Sequence, residues 1–158
     1  MGKNKVKLIY NKKRGPMITV CNAIETRYYK PIEGGYWIDY WKNEYKKKYE
    51  RFSIIYANNC NNPNCTHKNE ASGKNIVGAH VVSLDENENH FYILPLCEGC
   101  NNEKGELNPF EVKSNKCIPI PDECIYDDGS GNPYEIANAI ERIKEANEEY
   151  VEEKRQQL

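Results

Sequence analysis

Residues 76–84 (IVGAHVVSL) and 90–101 (HFYILPLCEGCN) decide the fold of this chain. Ile76–Leu84 and His90–Leu96 are short apolar runs of strand length, rich in Val, Ile and Leu. The polar stretch Asp85–Asn89 separates them, so they read as two strands joined by a turn. The second run leads into Cys97 and Cys100, and an earlier pair, Cys60 and Cys65, precedes the first. Two close cysteine pairs about thirty residues apart can bring four thiolates to one tetrahedral Zn2+. From Cys97 onward, Glu98, Glu103, Lys104 and Glu106 suit a short helix ending near Asn108-Pro109. The predicted order is knuckle, strand, loop, strand, helix.

Outward from this centre the chain changes character. Residues 57–75 (ANNCNNPNCTHKNEASGKN) are almost all turn formers, which suits a zinc knuckle and excludes a core of their own. Residues 36–56 carry aromatics at 37, 41, 45, 49, 52 and 56, a helical spacing that predicts one aromatic stripe packing on the core. Lys42, Lys46, Lys47 and Lys48 fall largely on the other faces, and a surface for single-stranded nucleic acid is the lesser reading of this helix. Residues 4–10 and 17–24 read as two strands joined by the basic turn Lys12-Lys13-Arg14-Gly15-Pro16. Toward the C-terminus, Asn132, Pro133 and Glu135 resemble an N-cap, first-turn proline and capping box. They predict a final helix with Ile136, Ile140, Ile143, Tyr150 and Val151 on one side and glutamates on the others. That helix is expected to dock or to mediate oligomerisation.

The chain has 158 residues, 39% of them hydrophobic, and a mean hydropathy of -0.87, which predicts a modest core in need of reinforcement. A structural metal would supply it. No run approaches the roughly 20 apolar residues that span a bilayer, and the basic start MGKNKVKLIYNKKRG lacks the apolar stretch of a signal peptide. A soluble, cytoplasmic protein is expected. Seven cysteines, four at metal spacing, then favour metal over disulfides, leaving Cys21, Cys117 and Cys124 as small buried apolar residues. The net charge of -2 is split. Residues 1–51 hold 13 Lys/Arg and 5 Asp/Glu, the remainder 9 and 19, giving +8 and -10. The basic segment fits a polyanion partner or simply complements the acidic half.

The pattern Cys60-x4-Cys65, Gly-Ala-His80-Val-Val and Leu96-Cys97-x-x-Cys100-Asn101-x-x-Lys104-Gly105 resembles the HNH (ββα-metal) nucleases over roughly residues 57–110. The resemblance implies that Cys60, Cys65, Cys97 and Cys100 hold a structural zinc. It implies that His80 is the general base activating water, and that Asn101 is a ligand of a catalytic Mg2+ or similar divalent cation. A neutral imidazole can take a proton near pH 7, and a hard cation stabilises charge on a phosphodiester. This sequence departs from the family at two places. Ala79 stands where a metal-binding Asp or His is common, and Tyr92 stands where the family's base-orienting Asn is usual. His67 or Glu103 could complete a metal shell, and Asn87, Asn89 or His90 could orient the base. Asn101 equally suits a capping role at the helix start. The motifs GAHVV and FYILPLCEGCNN also resemble small HNH-like zinc proteins of bacteria and phages, in which Tyr92 is normal.

The expectation is an α+β protein with a zinc-stapled ββα-metal core at 57–126, a basic extension with strands and an aromatic helix at 1–56, and an acidic C-terminal helix at 127–158. The expected function is a metal-dependent HNH nuclease acting on nucleic acid, DNA before RNA. The alternative is a non-catalytic HNH-like zinc module that binds nucleic acid or protein, as an accessory or inhibitory factor of phage or mobile-element type.

Overall fold

The computed structural model describes residues 16–50, 54–67, 75–85, 90–102 and 109–158. The strand expected at 4–10, most of the turn at 85–89 and the end of the helix expected after Cys97 lie outside the described residues. The chain is a mixed α/β protein which, among the described residues, has two antiparallel sheets and four α-helices.

The two apolar runs form the expected strands, β3 (Ile76–Ser83) and β4 (Phe91–Cys97). They pair from Ile76 opposite Cys97 to Val82 opposite Phe91. Strand β1 (Met17–Asn22), drawn from the basic segment, pairs with β3 through Cys21 opposite Val82. Its other edge pairs with β5 (Phe110–Lys113). With β6 (Ile118–Pro119) the sheet order is β5-β1-β3-β4-β6, so the basic segment supplies a central strand to the sheet that carries the hairpin.

Successive side chains of a strand point to opposite faces, and both faces of this sheet are apolar. Ala79, Val81, Val20, Leu94, Phe110 and Val112 pack in one cluster, while Val82, Cys21, Phe91 and Ile93 pack in the other. The second cluster is covered by α1 (Trp37–Tyr49). Trp37, Trp41 and Tyr45, four residues apart, form its buried stripe, as the aromatic spacing predicted. Both indoles are hydrogen-bonded: Trp37 Nε1 donates to Tyr29 O at 2.7 Å and Trp41 Nε1 to Lys116 O at 2.8 Å. The N-terminus of α1 reaches the sheet at Gly78. A Cβ there would stand 2.5 Å from the Trp37 carbonyl carbon and 2.6 Å from the Ile38 nitrogen, so only glycine lets helix and strand approach this closely.

The helix does not run to Tyr56. Glu50 adopts φ 53, a left-handed C-cap that stops the helical hydrogen-bond ladder. A short second helix, α2 (Ile54–Ala57), follows and brings Tyr56 back to within 6.2 Å of Tyr45, centre to centre.

The second sheet has the order β2 (Tyr29–Lys30), β7 (Cys124–Tyr126), β8 (Tyr134–Ile136). Here the sequence misleads. Residues 134–136, expected in the first turn of the last helix, pair with β7 instead, which buries Ile136. Helix α4 is Ala139–Gln156 and begins after Asn138 at φ 61. Its first N–H, on Ala139, donates to Asp122 O at 2.7 Å, so a tertiary bond does the work expected of a capping side chain.

The apolar face of α4, expected to serve docking, is used inside the chain. Ile143, Asn147 and Val151 are buried. Asn147 accepts from Ile24 N at 2.8 Å and donates to Ile24 O at 3.0 Å, and Tyr150 Oη donates to Asn22 O at 2.7 Å. Cys21, Cys117 and Cys124 are buried thiols, as expected. Burial pushes them up to about 11, 12 and 12 respectively.

Candidate metal centre

At the open end of the β3–β4 hairpin the chain brings Cys60, Cys65, Cys97 and Cys100 together. Their sulfur atoms all lie within 4.8 Å of one another. Among the described residues this is the one group of three or more His, Cys, Asp and Glu side chains with metal-binding geometry. Zn–S bonds of about 2.3 Å in a tetrahedron imply S···S edges of about 3.8 Å. Cys65 Sγ and Cys97 Sγ are 3.8 Å apart. The donor set and its size fit zinc.

Each ligand has a local reason to be where it is. Cys97 ends β4 and Cys100 follows on α3 (Glu98–Asn102), so a strand-to-helix turn presents both sulfurs on one side. Cys60 and Cys65 flank the turn Asn61-Asn62-Pro63-Asn64, closed by Cys65 N–H donating to Asn62 O at 3.1 Å and Asn64 N–H to Asn62 Oδ1 at 2.9 Å. The knuckle is fastened to β4 through Asn61, whose backbone N–H and side-chain amide both donate to Pro95 O, at 3.1 and 3.0 Å.

N–H groups point at the sulfurs. His67 N donates to Cys65 Sγ at 3.3 Å, Cys100 N to Cys97 Sγ at 3.4 Å and Asn62 Nδ2 to Cys100 Sγ at 3.5 Å. Such donors support thiolate charge at metal sites. Burial, the largest cause, with the neighbouring thiols pushes Cys97 up to about 11 and Cys100 further up. At Cys65 burial also raises the thiol, but the His67 N–H and the neighbouring thiols outweigh it and draw it down. A divalent cation reverses the burial effect, because a coordinating thiol deprotonates outright.

Asn22 and Asn62 support this centre and were not legible as doing so. Asn22 Nδ2, from β1, donates to Cys100 O at 2.7 Å and ties α3 to the sheet. Asn62 is buried, although in the sequence it is one of several turn-forming asparagines.

The residues expected to cut are arranged differently. His80 lies in the middle of β3 and faces α1, with its ring 5.1 Å from Trp37 in an edge-to-face contact. It is 8% exposed, and its Nε2 has no hydrogen-bond partner among the described residues. Burial lowers its pKa from 6.5 to about 3. Ala79 and Val81, its neighbours in sequence, face the other way and share a cluster with Cys100 of α3. Asn101 sits half-exposed on α3. His80 and the helix of Asn101 are thus packed against opposite faces of the hairpin.

Tyr92 lies across from Val81 and packs in the cluster on the Ala79 side. Ala79 offers no donor atom and Asn101 one neutral oxygen, so these residues do not fit a hard cation, which wants carboxylates or several oxygens. His67 lies beside the cysteines, bonding Cys65 through its backbone, and His90 is exposed at the start of β4. Glu103, Asn87 and Asn89 lie outside the described residues.

No family model, curated protein or solved structure matches this chain. No helix among the described residues is long and apolar enough to cross a membrane.

Proposed function

We propose that the chain is a zinc-stapled module related to the HNH scaffold that acts by binding and does not cut. The zinc joins the knuckle, the hairpin and α3, and its role is structural. The observation that carries the non-catalytic reading is His80, buried against Trp37 with its ring on the face away from α3. A general base must come within hydrogen-bond reach of the water it activates. Ala79, on the face that does meet α3, has no group able to bind a metal or accept a proton. A reducing, cytoplasmic setting accords with four thiols kept available for metal.

The rival reading, an HNH nuclease with His80 as base and Asn101 on a catalytic cation, is tested directly. Zinc-loaded protein incubated with plasmid DNA and Mg2+, Mn2+ or Ni2+ is expected to leave the plasmid intact. Metal-dependent nicking that His80→Ala abolishes would overturn the proposal.

A further inference from the structure

Beyond the zinc centre, the last turn of α1, helix α2 and the segment after β5 gather lysines and tyrosine rings on one surface. Lys116 Nζ lies 4.6 Å from the centre of the Tyr56 ring, and Lys48 Nζ lies 5.6 Å from that of Tyr49. Tyr45 connects the two rings, at 4.6 Å from Tyr49 and 6.2 Å from Tyr56. Lys46 and Lys48 are exposed, while Tyr49, Tyr56, Lys113 and Lys116 are half-exposed. Glu44, the acidic side chain of the neighbouring helix turn, is engaged with Lys47 at 3.3 Å.

Lys116 has an unusual environment. Its ammonium is held below the ordinary lysine range by burial and then by the like charge of Lys113, and only the Cys117 thiol acts in the opposite direction. Two cations crowded at a half-buried position favour an incoming anion. The chain enters this end of the sheet at Pro16, whose carbonyl accepts from Ser114 N at 2.7 Å.

We propose that Lys48, Lys113 and Lys116, with Tyr49 and Tyr56, form a surface for single-stranded nucleic acid. The ammonium groups of Lys48 and Lys116, which lie over the rings of Tyr49 and Tyr56, swing off them to take phosphates, and the two rings then take unpaired bases. This pairing of a cationic track with exposed rings is how single strands are held without sequence readout. Half-covered rings at a surface can stack on a splayed base and not on one inside a duplex, which favours the single strand. The surface lies outside residues 57–110, which carry the nuclease resemblance, so it does not depend on the hairpin's chemistry. The inference rests on the reading of the protein as a binding module and names that module's partner.

The test is fluorescence anisotropy of a fluorescein-labelled oligothymidylate with the full, zinc-loaded chain. Binding is expected at about 50 mM salt, weakening steeply as salt rises. Lys113→Glu with Lys116→Glu should weaken it by about tenfold or more and flatten the salt dependence. Lys144→Glu, on α4, should leave it unchanged. All variants are first checked for an unchanged thermal melt. No binding by a natively folded chain would overturn the inference. So would equal binding of a duplex of the same length, equal competition by polyglutamate, or equal loss in Lys144→Glu. Plasmid nicking reads the proposed function separately: a chain that neither nicks nor binds overturns this surface alone, and one that nicks overturns the non-catalytic reading.

Discussion

At the Ile76–Cys97 end of the β3–β4 hairpin, four thiols from two segments converge within 4.8 Å, fed by three N–H···S contacts. A few residues along the same strand, His80 packs edge-to-face on an indole, with an Nε2 that meets no donor or acceptor among the described residues. One region is an assembled set of ligands supported from outside; the other is a polar group accommodated in a core. The difference teaches that a motif's residues can keep their order in sequence while the strand's alternation delivers them to opposite faces. Order in sequence carries the four-cysteine cluster intact. It does not carry the pairing of His80 with Asn101.

The comparison can be broken most severely at the metal. Structural zinc contributes about 10–16 kcal/mol in small zinc domains, as much as or more than the whole stability of a typical domain, about 5–15 kcal/mol. Chelation or Cys97→Ser is therefore expected to unfold the chain, seen as loss of the cooperative melt. Elemental analysis of the untreated protein should give about one zinc per chain. Metal-free protein with a native melt would sink the staple.

On the sealed side, Gly78→Ala pushes a methyl into the backbone of α1. A loss of about 3 kcal/mol is expected from such overpacking, measured by urea denaturation; a neutral substitution would show that helix and strand do not meet there. On the zinc side, Asn22→Ala removes the donor to Cys100 O. That should cost about 1–2 kcal/mol and speed zinc loss to a chelator, which separates it from Gly78→Ala. Unchanged zinc release would show that α3 is held by the metal alone.

A gradual effect is expected in pH dependence. His80 is held at about 3 in the fold, below its ordinary 6.5. As pH falls through 6.5, the unfolded chain takes up this proton and the folded chain does not. The stability associated with a neutral His80 is therefore full above pH 6.5 and lost progressively down to pH 3. His80→Leu should reduce the acid slope by at most about 1.4 kcal/mol per pH unit, read from denaturation midpoints of both proteins across that range. Parallel slopes would mean that His80 is already solvated.

Much of this was legible in the sequence. The β3–β4 pair, the cysteine set, the buried aromatic stripe of Trp37, Trp41 and Tyr45 and the three buried thiols follow from periodicity and spacing. What escaped depends on partners distant in the chain. Tyr134–Ile136 resembles the start of a helix until β7 is there to pair with it, since a local capping pattern contributes little against a ladder that buries Ile136. The end of α1 at Glu50 rests on a left-handed residue that carries no glycine to announce it. The inward face of α4 is set by Asn147 bonding Ile24, 123 residues earlier. His80 reads as a base from its neighbours in sequence, but the pleat turns it toward Trp37.

The most direct test of the account is NMR titration of the His80 imidazole in the zinc-loaded chain, with His80→Leu used to assign the signal. The account predicts a neutral ring with no inflection from pH 8 down to the onset of acid unfolding, while the unfolded chain titrates near 6.5. A His80 inflection near that ordinary value in the folded protein would place the ring in contact with solvent and contradict the proposal that the hairpin does not cut.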